Sequence, residues 1–218
     1  MKSPTSVAAL TELGRVRLSK HFFMREMLYS EVSNHYGVPN VPEDPGLAVN
    51  AGRQLCEELL EPLYEAFGGI VVRSAYRSPT LNDFCHRKYL QGETACYCSD
   101  NVYSAGRHIW DQRDDKGFMG ATASVLVPAY LDYYEKTGDC DPLAWWIRDR
   151  LPDYAEITFY PWQCVFNIRW YEGASDQAIY QDPGPNKGDD RVITKKGMDN
   201  FEGDHRDRYR VLEGVVTR

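Results

Sequence analysis

Val72-Arg73-Ser74-Ala75-Tyr76-Arg77-Ser78-Pro79-Thr80-Leu81-Asn82 carries the chain out of a short apolar run, Ile70-Val71-Val72, into a polar segment with two arginines. Just upstream, Leu55, Leu59, Leu63 and Phe67 recur every four positions, and this spacing predicts a helix from Leu47 to Phe67 with one buried face. Pro62 is expected to kink that helix near its end, and Gly68-Gly69 to terminate it. Ile70-Val72 then reads as a short buried strand. Downstream, Asn82 to Lys116 is polar, contains cysteines and has no clear period, so a long loop or inserted subregion is expected there.

Further out, Ser19 is placed as the N-cap of a helix running through Phe22 to Met27. Pro39, Pro42 and Pro45 mark an extended connection. Ala121 to Val127 predicts a strand, followed by a helix from Pro128. Asp141-Pro142 opens another helix to Leu151, with Trp145, Trp146 and Ile147 on its inner side. Two closing strands are expected, Glu156 to Tyr160 and Gln163 to Tyr171, the second alternating Cys164, Phe166, Ile168 and Trp170. Trp145, Trp146, Trp162 and Trp170 are read as packing residues. The last 45 or so residues, rich in Gly, Asp, Pro, Lys and Arg, read as a polar surface arm; His205 in it is expected to be exposed.

With 218 residues and a 43% hydrophobic content, the chain suits one sizeable folded domain. A net charge of −7 argues against nucleic acid as the main partner, because phosphate binding needs a basic surface. No apolar run approaches the roughly 20 residues that span a bilayer, so membrane insertion is not expected. The N-terminus lacks the apolar core of a signal peptide, and synthesis in the cytoplasm is expected. Six cysteines (Cys56, Cys85, Cys96, Cys98, Cys140, Cys164) are too few to staple a domain of this size, and they read as free, mostly buried thiols.

Leu18, Ser19, Phe22, Glu26, Met27 and Ser30, then Leu60-Glu61-Pro62-Leu63, the Phe67-Gly68 turn and the segment Ser74 to Asn82 occur in an order and spacing that resembles the zinc D-Ala-D-Ala carboxypeptidases. These enzymes trim peptidoglycan and share their fold with the hedgehog signalling domain. The similarity covers roughly Leu18 to Tyr171. It implies an α+β fold, a small antiparallel sheet packed against helices. The hedgehog/DD-peptidase-like domain would span residues 1–172, with an insert at about 83–116 and the arm at 173–218. It also implies three zinc ligands and a carboxylate base. Three protein ligands leave one position open for water, whose pKa zinc lowers, and the carboxylate takes its proton.

On that alignment the first ligand position falls on Gly117 and the second on Ser124. The third falls on Asn167 and the base on Tyr160. None of these can replace a charged zinc shell. The first reading is therefore a catalytically degenerate scaffold without a cofactor, a binding or structural assembly module. Its partner would be another protein or a second copy of the chain, and a bacteriophage virion component is one form of it. A candidate ligand cleft would use Arg73, Arg77, Asn167 and Tyr160, although the arginines equally suit bracing the loop.

A second reading keeps a metal-dependent peptidoglycan peptidase with a remodelled zinc site. Its ligands would be His108 and Asp111, three apart in Ser104 to Asp111, with His86 as the nearest third. The plain alternative for His108 and Asp111 is a hydrogen-bonded loop pair, the carboxylate orienting the imidazole. Cys85, His86, Cys96, Cys98 and His108 together offer a separate zinc knot, against which stands the Cys-x-Cys spacing.

Overall fold

The computed structural model describes residues 1–184 and 187–214. Its helices in chain order are α1 (Val7–Gly14), α2 (Met24–Met27), α3 (Glu31–Tyr36), α4 (Pro45–Leu55), α5 (Glu61–Phe67), α6 (Pro79–Leu90), α7 (Asn101–Ser104), α8 (Pro128–Thr137) and α9 (Asp141–Arg150). The strands are β1 (Val71–Ser74), β2 (Gly120–Leu126), β3 (Glu156–Phe159), β4 (Phe166–Tyr171), β5 (Ala178–Gln181) and β6 (Arg191–Thr194). A π turn (Cys56–Leu60) separates α4 from α5, and 3-10 segments occupy Thr94–Cys96 and Arg206–Gly214. The protein is thus α+β. Among the described residues no helix is long and apolar enough to cross a membrane.

The chain divides into two compact units whose segments alternate along the sequence. The first comprises Met1–Glu57, Ser74–Ala123 and Tyr171–Gly173; the second comprises Glu58–Arg73, Ser124–Trp170 and Ala174–Arg218. In the first unit Leu18, Met24, Met27, Leu55, Tyr76 and Trp110 are almost wholly buried. Trp110 donates its indole N–H to Thr122 O at 3.2 Å, and its ring lies against Gly52. Ser19 is not a helix N-cap. Leu18 and Ser19 donate to Phe22 O in a tight turn, and α2 starts only at Met24, with Glu26 reaching back to the Phe23 N–H at 2.9 Å.

The largest departure in this unit is α6, which lies where a loop is expected. Ser78 Oγ accepts from Leu81 N at 3.2 Å, Pro79 occupies the first turn, and Arg87 and Lys88 face the carbonyl end. Its buried side is made by Leu81, Asn82 and Cys85 rather than by an aliphatic stripe. Asn82 is satisfied there because its amide donates to Ser99 O and Asn101 Oδ1.

The second unit holds a six-stranded sheet in the order β1-β2-β4-β3-β5-β6, with β2 entering the unit at Ser124. The sheet is mixed, not antiparallel: β3 pairs antiparallel with β4 but parallel with β5, and β6 returns antiparallel to β5. The stretch expected as a surface arm supplies both β5 and β6. Beyond them Phe201, His205, Tyr209 and Leu212 are buried; Val215 to Arg218 of the expected arm lie outside the described residues. Burying each large apolar side chain contributes about 1.5–3 kcal/mol, enough to hold a polar segment in place. His205 stacks on Trp145 with ring centroids 4.4 Å apart, so it is not exposed.

Pro62 falls in the first turn of α5, immediately after the π turn. It has no N–H for the carbonyl four residues back, and the helix widens just before it. Gly68 ends α5 at φ 71°, in the left-handed region that glycine enters without strain. Trp145, Trp146 and Ile147 of α9 are buried as their spacing predicts, and Phe67 packs edge-on to Trp146 at 4.7 Å.

Candidate functional site

Strand β4 buries Phe166, Ile168 and Trp170, which turns Asn167 to the opposite face. In register with it on β3 is Thr158, and Tyr160 follows β3 directly. On the other side of β4 in the sheet order, β2 presents Ser124, the one partly exposed residue of an otherwise buried strand. Ser124 Oγ donates to Asn167 Oδ1 at 2.5 Å, and Asn167 Nδ2 donates to the Tyr160 hydroxyl at 3.0 Å. Tyr160 and Asn167, 36 and 43 positions along the sequence from Ser124, thus form one hydrogen-bonded chain with it.

Tyr160 continues this chain into an aromatic pair. Its ring stacks on Trp162 at 5.8 Å, and Trp162 is 54% exposed. The hairpin between β3 and β4 closes through Tyr160 N to Val165 O at 2.8 Å and Val165 N to Trp162 O at 2.9 Å. Its two central residues, Gln163 (φ 55°) and Cys164 (φ 53°), both take left-handed backbone without being glycine. Such residues cost on the order of 1 kcal/mol each and persist where surrounding structure imposes them. Here Cys164 is buried and anchors the turn, which leaves Trp162 displayed outward.

The chemistry of the Ser124–Asn167–Tyr160 chain is neutral throughout. The amide oxygen is occupied by a serine proton, the amide nitrogen is a donor only, and no carboxylate or imidazole is among the three. Such a set neither holds zinc nor takes a proton from water. Gly117 lies in the first unit, in an exposed turn at φ 83°.

Of the expected ligand cleft, only Asn167 and Tyr160 are in contact. Arg73 is exposed on β1 at the edge of the sheet. Arg77 belongs to the first unit, where its guanidinium donates to Asn82 Oδ1 at 3.0 Å and its backbone N–H to His108 O at 2.8 Å. It braces the loop.

The proposed metal ligands are each engaged elsewhere. His108 Nδ1 is 2.9 Å from Ala75 O, and loss of water together with the nearby Arg77 charge pushes its pKa down to about 3, so the ring stays neutral. Asp111 Oδ2 accepts from Glu43 N at 2.7 Å, and burial raises its carboxyl above the usual range beside the Tyr76 hydroxyl. Asp111 therefore does not orient His108, and the expected loop pair is not formed. His86 Nδ1 lies 3.0 Å from Cys98 O. Among the described residues no three His, Cys, Asp or Glu side chains are arranged to hold a metal ion.

All six cysteines are buried, and none is in a disulfide. Cys85, Cys96 and Cys98 share an apolar cluster with Leu81, covered by Val32, Tyr36 and Val38.

Two features were not read from the sequence. One is the display of Trp162, since a Trp-Gln-Cys turn carries none of the Asn-Gly chemistry that signals such a hairpin. The other lies at the end of α9, where Asp149 accepts from His205 N (3.0 Å), His205 Nδ1 (2.9 Å), Tyr209 Oη (3.2 Å) and Arg148. Arg150 and Arg206 join Arg148 in lining an open polar cleft of about 290 Å³ beside this network. Each arginine there has a structural use. Arg148 pairs with Asp149 and packs over Phe201, Arg206 pairs with Asp204, and Arg150 stands in the last turn of α9, where positive charge suits the helix dipole.

No family model, no curated protein and no solved structure matches this chain.

Proposed function

We propose that this chain is a catalytically degenerate relative of the zinc D-Ala-D-Ala carboxypeptidases, serving as a binding or assembly module rather than a peptidase. One observation carries the reading. Ser124, Asn167 and Tyr160 are the positions where the resemblance places a ligand Asp, a ligand His and the base, and they are in hydrogen-bond contact. Residues assigned to one site by a sequence resemblance need not meet in space; these do. What they form is a hydrogen-bonded chain without a charged group, which supports a scaffold without zinc.

The hedgehog/DD-peptidase architecture is the finer form of the α+β fold that fits this convergence. Trp162, stacked on Tyr160 at the edge of the neutral chain, supplies a rigid aromatic surface of the kind that anchors a bound partner. Wall peptidoglycan and the protein neighbours of a phage particle are the partners that the resemblance suggests.

Metal content of the purified protein, measured by mass spectrometry with and without chelator treatment, tests the central claim. No tightly held zinc, an unchanged melting temperature in chelator and no release of D-alanine from a D-Ala-D-Ala peptide are expected. Stoichiometric zinc accompanied by D-alanine release would overturn the proposal.

A further inference from the structure

The stretch that follows β6 carries its buried residues at a helical spacing. Phe201, His205, Tyr209 and Leu212 are buried, four, four and three positions apart, and every residue between them is exposed. This is the pattern of an amphipathic segment laid on a partner surface, and here the surface is α9 of the same chain. Asp149 of α9 accepts from His205 N at 3.0 Å, from His205 Nδ1 at 2.9 Å and from Tyr209 Oη at 3.2 Å. Arg148 donates to Gly203 O at 3.3 Å, and its guanidinium lies over the Phe201 ring at 4.5 Å. Trp145 takes the His205 ring at 4.4 Å and the Arg208 guanidinium at 4.4 Å.

Trp145, Arg148 and Asp149 stand three and four positions apart, so one face of α9 supplies all of these anchors. Each anchor passes through an α9 side chain. Among the described residues the backbone hydrogen bonds of the segment stay within it and its approach, as in Phe201 N to Met198 O and Arg208 N to His205 O. No ladder ties it to the sheet. The connection from β6 is the short turn at residues 195–200, with Gly197 at φ 87°. A segment held through side chains alone docks in the same way whichever chain supplies it. What favours its own chain is tethering, which on a short linker amounts to an effective concentration in the millimolar range.

We propose that the face of α9 formed by Trp145, Arg148 and Asp149 is a docking surface for residues 201–212 of a second copy of this chain, and that exchange of this segment links copies. The contacts within one copy and between two copies are the same, so the turn at 195–200 and the concentration set the balance. In dilute solution each segment sits on its own α9. Where copies are held close together, an opened turn lets the segment cross. Reciprocal exchange gives a closed pair, and one-way exchange leaves a free surface at one end and a free segment at the other, to which further copies add. None of these contacts involves Ser124, Asn167 or Tyr160, so exchange does not depend on the degenerate-peptidase reading.

Two full-length variants that cannot dock their own segment test this. Asp149→Leu removes the acceptor from the surface and keeps the segment, whereas His205→Ala with Tyr209→Ala removes the donors from the segment and keeps the surface. Each alone should be monomeric, with residues 201–212 unprotected in hydrogen exchange. Mixed at about millimolar concentration, the range that tethering supplies, they should form a one-to-one heterodimer in light scattering. Protection should return to the segment of the Asp149→Leu chain only. Two folded variants that fail to associate would overturn the proposal. The native chain gives a second arm that does not rely on how the variants fold. Concentrated to about 1 mM, it should yield a dimer that outlasts rapid dilution, because each segment must detach before it returns. A native chain that stays monomeric at that concentration, or whose dimer is lost at once on dilution, would equally overturn it.

Discussion

The Asn167 side-chain amide donates to the Tyr160 hydroxyl at 3.0 Å while its oxygen takes the Ser124 proton at 2.5 Å. Asn167 is thus the middle of a chain in which each neighbour depends on it. Its replacement by Leu would remove the hydrogen bond that each of the two hydroxyls makes with it. A cost of about 1–3 kcal/mol is expected, measured as a drop in urea midpoint, whereas Ser124→Ala, which removes only a terminal donor, should cost about 1 kcal/mol. Equal costs for the two variants would show that the chain does not act as a unit.

Asp149 contributes stability that depends on pH. Burial works against its ionised form, but hydrogen bonds from His205 and Arg148 prevail and hold its pKa below the ordinary value of 3.8. A carboxyl depressed in the folded state stabilises above its unfolded pKa and loses that contribution as pH falls through the folded value. Asp149→Asn should therefore destabilise by about 1–3 kcal/mol at neutral pH, with the gap from the native chain closing below roughly pH 4. Chemical denaturation at a series of pH values checks this; a gap that persists unchanged into strong acid would contradict it.

Gly52 is a helical glycine whose replacement runs against propensity. Alanine is normally better in a helix by about 1 kcal/mol. A Cβ at this position would meet the Trp110 ring at 2.8 Å, and Trp110 is fully buried with its N–H committed to Thr122 O. Gly52→Ala is expected to lower stability by about 1–3 kcal/mol. A rise in melting temperature would mean that the indole relocates without loss.

The turn that carries Trp162 offers two substitutions of opposite kind. Gln163→Gly relieves the left-handed backbone and should stabilise by about 0.5–1 kcal/mol. Trp162→Ala removes an exposed ring and should change stability by less than about 0.5 kcal/mol. Under the proposed binding role it should nevertheless abolish co-sedimentation with purified peptidoglycan or with the protein partner. Retained binding in a folded Trp162→Ala variant would remove the aromatic surface from the site.

Much of the second unit was legible from local pattern. The period-two run from Phe166 to Trp170 and the tryptophan face of α9 each follow from side-chain spacing alone, and both are buried as expected. Helix α6 was not, although Ser78-Pro79 is a sound start signal, because its buried face is made of a thiol and an amide whose partners lie up to 19 residues away. Strands β5 and β6 were missed for a related reason. Four residues such as Ala178 to Gln181 carry little periodic signal, and what makes them a strand is parallel pairing with β3, far back in the chain.

Local spacing and cap chemistry act over one or two turns, so the amino-acid order decides where α4, α5, α9 and β4 form. Order alone also placed Ser124, Asn167 and Tyr160 at positions without metal chemistry. That the three touch, that His108 and Asp111 do not, and that Cys85, Cys96 and Cys98 share one buried cluster are consequences of strand order and loop return. Those depend on burial and pairing between segments far apart in the chain, a balance that no short window of residues contains.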